Sequence, residues 1–162
     1  MVESRRRNEM PLGLCWGGKL PAEGSVHVKD AMSTDLLVVG TAVTVADAAR
    51  LMLRRHVGAA VVVDERIPGP GIITERDVMR AVADGRDLEA TAVEVCMTFE
   101  ARTATTTWDL DTAAEEMING HFRHLVVVDE QGGMVGIVSM RDVVGARVRA
   151  AHTSGAAATQ PS

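Results

Sequence analysis

The chain has 162 residues, 46% of them hydrophobic and 24% charged, with four aromatics (Trp16, Phe99, Trp108 and Phe122) and no tyrosine. This ordinary globular composition suits one domain or two small ones with an aliphatic core. So few aromatics speak against stacking on single-stranded nucleic acid, and 17 Lys+Arg against 22 Asp+Glu, a net charge of −5, speak against duplex binding.

Residues 1–27 show no hydrophobic period and are rich in Gly, Pro and charge, which predicts a mobile tail. Arg5-Arg6-Arg7 followed by Leu12-Gly13-Leu14-Cys15 has the outline of an export or lipidation signal. Its apolar stretch falls short of the ~7–15 residues such signals need, and Leu14 is not small. Cys15 and Cys96 form no C-x-x-C pair, and no apolar run approaches the ~18 residues of a membrane span. A cytoplasmic, reducing location without membrane association is therefore expected.

A short β-prone run, 36–39, comes first. Thr44 then caps a predicted helix, with Asp47 at capping-box spacing and Val45, Ala48, Ala49, Met52 and Leu53 on one face. The uninterrupted apolar run 59–63 reads as a strand buried on both faces. A Pro/Gly turn, 67–70, leads to a second strand, 71–74, and a helix starting at Thr74. The order β-α-β-β-α then recurs. Strand 102–106 precedes a helix capped by Asp109 with Leu110, Ala113, Ala114, Met117 and Ile118 inward. Strand 125–128, turn 131–133, strand 134–139 and a helix from Ser139 follow. Residues 152–162, rich in Ala, Thr and Ser, read as a second tail.

The recurrence is a true repeat. With an offset of 65, residues 28–83 and 93–148 share 18 identities in 56 positions without a gap, including Val61 to Glu65 on Val126 to Glu130 and Arg76-Asp77-Val78 on Arg141-Asp142-Val143. The predicted organisation is a tail (1–27), a first copy (28–90), a second copy (91–151) and a tail (152–162). A single copy of this size is marginal alone, so the two are expected to pack sheet to sheet about a pseudo-two-fold axis, an α+β (α/β-like) fold.

Each copy ends in Gly-h-h-Thr/Ser-x-x-Asp, Gly71 to Asp77 and Gly136 to Asp142, and opens with Asp30-Ala31-Met32-Ser33 or Val95-Cys96-Met97-Thr98. In tandem and in register, these motifs resemble a pair of cystathionine-β-synthase-type (CBS) domains, the Bateman module, over roughly 28–150. Val61 and Val126 stand where the family often has proline. The short flanks imply a freestanding pair. The resemblance implies a regulatory, non-enzymatic protein with no required cofactor, AMP, ADP or ATP as regulatory ligand, a homodimer and a protein partner of unknown identity.

Thr74-x-x-Asp77 and Ser139-x-x-Asp142 are sufficiently explained as helix capping boxes. The resemblance implies a second use, in which the aspartate accepts hydrogen bonds from ribose hydroxyls. It places two sites between the copies. Site A combines Thr74, Arg76 and Asp77 with Thr103, Phe122, Arg123 and His124. Site B combines Ser139, Arg141 and Asp142 with Val38, Val57, Gly58 and Ala59. Arg123 and His124 suit a phosphate, and Phe122 a purine face, so site A is the better equipped; Arg123 reads equally as a solvated loop residue and Phe122 as core. His121-x-x-His124 lies in a turn with no fixed third ligand, which speaks against a metal. No nucleophile elbow, zinc motif or P-loop occurs. The competing reading is a ligand-free dimeric scaffold with vestigial clefts.

Overall fold

The computed structural model describes residues 26–156. The first sheet holds β1 (Val38–Val39), β2 (Ala59–Val62) and β3 (Gly71–Thr74); the second holds β4 (Thr103–Thr105), β5 (His124–Val128) and β6 (Met134–Ser139). Helices α1 (Val45–Arg55), α2 (Glu75–Ala83), α3 (Leu110–Asn119) and α4 (Met140–Ala156) complete the two copies. In each sheet the first strand runs parallel to the second, across a helical crossover, and the second pairs antiparallel with the third.

Local chemistry sets these elements. The Thr44 hydroxyl accepts from the Asp47 amide at 3.1 Å, and the Asp109 carboxylate from the Asp111 amide at 2.7 Å, so both sequence-predicted caps open their helices. The repeated histidines act through their backbones. His56 and His121 occupy the left-handed region, φ 54° and 56°, where each helix turns into its strand. The repeated Asp64 and Asp129 end strands, and their carboxylates accept from the Arg66 and Gln131 amides, each at 2.9 Å.

The central strands are buried on both faces, as their apolar runs predict. Ala60 and Val62 face α1, while Ala59 and Val61 meet Val126, Ile72 and Ala101 between the sheets. The copies therefore pack sheet to sheet. The fully buried Leu125 and Val127 point away from that interface into a core with Leu110, Ala113 and Met117.

The repeats exchange their lead-in segments. Val28 belongs by sequence to the first copy but is fully buried in the core of the second; Val93 is fully buried in the core of the first. Isolated bridges follow the same rule. Ser33 pairs with Ile137 and Thr98 with Ile72; His27 pairs with Asp109 and Ala92 with Thr44. These are two pairs of equivalents at the 65-residue offset. The exchange explains the repeated glycines. A Cβ on Gly136 would lie 2.8 Å from the Ser33 carbonyl and 2.9 Å from Met32 Sδ; one on Gly71 would lie 3.2 Å from the Met97 side chain. Each glycine, with its partner methionine, lets the other copy's segment cross the sheet closely.

Both tail boundaries differ from the sequence reading, and several strands are shorter by one or two residues than their predicted runs. Helix α4 continues to Ala156, past the expected start of a tail at 152. At the other end, Val26 already packs on the second core and its carbonyl accepts from the Leu110 amide at 3.0 Å. The Arg5 to Cys15 stretch lies outside the described residues.

Candidate functional site

Two clefts open where the helix start of one copy faces the helix-to-strand turn of the other. The carboxylate of each Thr/Ser-x-x-Asp motif is held in place by the cap it makes. Asp77 Oδ2 accepts from the Thr74 amide at 2.9 Å and the Thr74 hydroxyl at 2.7 Å; Asp142 Oδ2 accepts from the Ser139 amide at 2.8 Å and the Ser139 hydroxyl at 2.6 Å. The capping reading is thus correct as geometry. It engages one oxygen of each carboxylate and leaves the other, which in Asp77 lies 3.6 Å from Arg80 Nη1.

Site A encloses about 430 Å³. The structure brings Thr74, Arg76 and Asp77 together with Phe122, Arg123 and His124 around it. Arg76 spans the cleft, donating to the His121 carbonyl at 2.9 Å, so its guanidinium ties the copies together. Phe122 is half-buried and serves both expectations, packing on the second core while facing the cavity. Its ring folds over Gly120, where a Cβ would lie 2.1 Å from Cε1.

Site B encloses about 280 Å³ and gathers Ser139, Arg141 and Asp142 with Val57, Gly58 and Ala59. Val38 and Thr103, the equivalent strand residues expected in sites B and A, line neither cavity. Their places are taken by Leu36-Leu37 and Ala101-Arg102. Each residue advances a strand by ~3.3 Å, so Val38 and Thr103 are carried past the cavity ends.

Several lining residues were not singled out from sequence. Site A adds Arg80, Arg102 and Glu100; site B adds Asp35 and Glu75, and also takes Arg123 and His124. Arg102 was findable, since it follows Ala101 into the strand that was read as part of the cleft. Glu75 was not, because it begins a helix of site A yet its carboxylate leans over Gly58 in site B, 3.3 Å from where a Cβ would be. Site A then has four arginines against two carboxylates, a formal +2, and site B two arginines against three carboxylates, a formal −1. His124 stands between them. Burial and then the neighbouring Arg123 charge pull its pKa below 6.5, while Asp142 and Glu75 pull the other way.

Two helix-start carboxylates facing each other's copies across a sheet-to-sheet repeat define the arrangement. The sequence profile of the CBS domain matches residues 28–84 and again 92–149. The chain belongs to the CBS-domain family. It is similar to the CBS domain-containing protein YhcV of Bacillus subtilis, with 36% identity over 117 residues, 72% of this chain and 81% of that one. Among solved structures it resembles the CBS domain protein PAE2072 of Pyrobaculum aerophilum complexed with AMP (TM-score 0.66, 28% identity, 72% of this chain and 89% of that one). It also resembles the CBS domain pair of protein MJ0100 in complex with 5′-methylthioadenosine and S-adenosyl-L-methionine (TM-score 0.69, 26% identity, 77% of this chain and 98% of that one). Among the described residues of this CBS pair, no helix is long and apolar enough to cross a membrane, and no group of three or more His, Cys, Asp or Glu side chains is placed to hold a metal.

Proposed function

We propose that this CBS pair is a regulatory protein that binds an adenosine nucleotide (AMP, ADP or ATP) in site A. The observation that carries the reading is one cavity holding a buried carboxylate, an aromatic ring and an arginine without a side-chain partner among the described residues, drawn from the two copies. Asp77, 8% exposed, has an oxygen left for ribose hydroxyls. Phe122 offers a face for the base, and Arg123 with Arg102 the charge for phosphate. The formal +2 of the lining favours an anion, and the volume lies in the range of ligand sites. The AMP and S-adenosylmethionine complexes of similar CBS proteins support an adenosine ligand.

Binding across the cleft joins the copies and biases their packing, which alters the surface offered to a protein partner. That surface carries Leu53, Met79, Ile118 and Val144, which are 73%, 71%, 62% and 56% exposed on the four helices. Leu53 and Ile118, like Met79 and Val144, are equivalents at the repeat offset, and exposed large apolar side chains repeated on all four helices suit a homodimer. Clefts filled by their own side chains would support the scaffold reading. Cavities of about 430 and 280 Å³ weigh against it.

Isothermal titration of ligand-free protein with AMP, ATP, NAD and S-adenosylmethionine tests the reading. Saturable binding of AMP or ATP, lost in Asp77→Ala, is expected. Absence of heat with all four ligands leaves the scaffold reading in its place.

A further inference from the structure

Arg123 and His124 line both cavities, so the two clefts share a wall. Arg123 is exposed, and its guanidinium makes no ion pair or hydrogen bond among the described residues. A guanidinium whose fork is aimed at two oxygens of a phosphate in one cleft directs its charge and its best-placed donors away from the other cleft. With Arg123 turned into site A, site B retains Arg141 against Asp35, Glu75 and Asp142, a formal −2.

We propose that Arg123 is a cation shared by the two clefts, so that a phosphorylated nucleotide in site A lowers the affinity of site B for a second one and leaves it to adenosine ligands without phosphate. The inference rests on the nucleotide reading of site A. A phosphate entering site B meets Glu75 over Gly58 and Asp142 at the start of α4 with their best counter-charge withdrawn. An uncharged nucleoside meets the same hydrogen-bonding groups with no such penalty. The coupling is reciprocal, since each ligand must alter the other's affinity by the same factor.

The test is calorimetry on the full chain with AMP and adenosine as probes. Asp77→Ala disables site A, so the AMP affinity of site B is read with Arg123 free; it is expected to be at least about fivefold tighter than the second AMP step of the wild type. Adenosine binding to site B is expected to be unchanged by AMP at a concentration that fills site A alone. In Arg123→Gln, an exposed substitution, the two AMP steps move closer together. If Asp77→Ala does not fold, that comparison decides alone. Equal site B affinities with site A full or disabled, or AMP steps unchanged in Arg123→Gln, overturn the coupling while leaving site A standing. No binding of AMP, ATP, NAD or S-adenosylmethionine to the wild type overturns both readings.

Discussion

Exchange of the lead-in segments makes a strong prediction about cooperativity. Val93 is fully buried among residues of the first copy, Val45, Leu37 and Ile73 among them, and its amide donates to the Val43 carbonyl at 2.7 Å. Val93→Ala leaves that hydrogen bond in place and removes two methyl equivalents, about 1.6 kcal/mol of transfer free energy. Incomplete collapse around the vacated space raises the cost to about 2–3 kcal/mol. Trp108 provides the readout, because it packs on the core of the other copy. In a Trp16→Phe background, urea unfolding is followed by Trp108 fluorescence and by far-ultraviolet circular dichroism. Since Val28 is anchored in one core and Val93 in the other, neither copy keeps a complete core when its neighbour unfolds. Both signals are expected to shift to lower urea together, with one transition. A Trp108 transition left at its wild-type midpoint while circular dichroism splits in two would refute the reasoning.

Three further outcomes are expected. A Cβ on Gly136 lies 2.8 Å from the Ser33 carbonyl, whereas one on Gly71 lies 3.3 Å from the Thr98 carbonyl and 3.2 Å from the flexible end of Met97, so thermal melts should show Gly136→Ala as the more destabilising, by about 1–3 kcal/mol over wild type. Gly120→Ala drives the Phe122 ring out of position and is expected to weaken AMP binding at site A while sparing site B, read by calorimetry in Asp142→Ala and Asp77→Ala backgrounds. The His124 pKa is depressed in the folded state, by burial first and Arg123 second, so the unfolded chain binds the proton more readily. Its contribution to stability is complete above pH 6.5 and declines as pH falls from there through the folded pKa. His124→Gln should flatten the pH dependence of the urea midpoint over that window.

Much of the fold was legible because the repeat states each element twice. Thr44 and Asp109 announce helix starts through short polar side chains that satisfy free amides, a local interaction that needs no tertiary knowledge. The two-faced strands were equally plain from 59–63 and 125–128. For the clefts, the grouping of Asp77 with Phe122, Arg123 and His124 came from the resemblance to a family, and the structure gathers these residues around one cavity. Val38 and Thr103 were misplaced because the position of a cavity along a strand depends on where the opposing sheet ends. Glu75 is not legible from sequence because it belongs to the helix start that serves site A, while its side chain reaches site B.

The sequence by itself determined that this protein is two copies of one β-α-β-β-α unit with a capped helix after each Gly-h-h-Thr/Ser strand. Period, capping and apolar run length are local properties, and each copy carries them independently. Only the tertiary structure decided which core takes which lead-in segment. Val28 and Val93 are the same residue in the same repeat position, so either suits either core, and chain path alone assigns them. The shared wall arises in the same way. Arg123 and His124 belong to one copy by sequence, but the strand they open lies between both helix starts once the sheets are face to face.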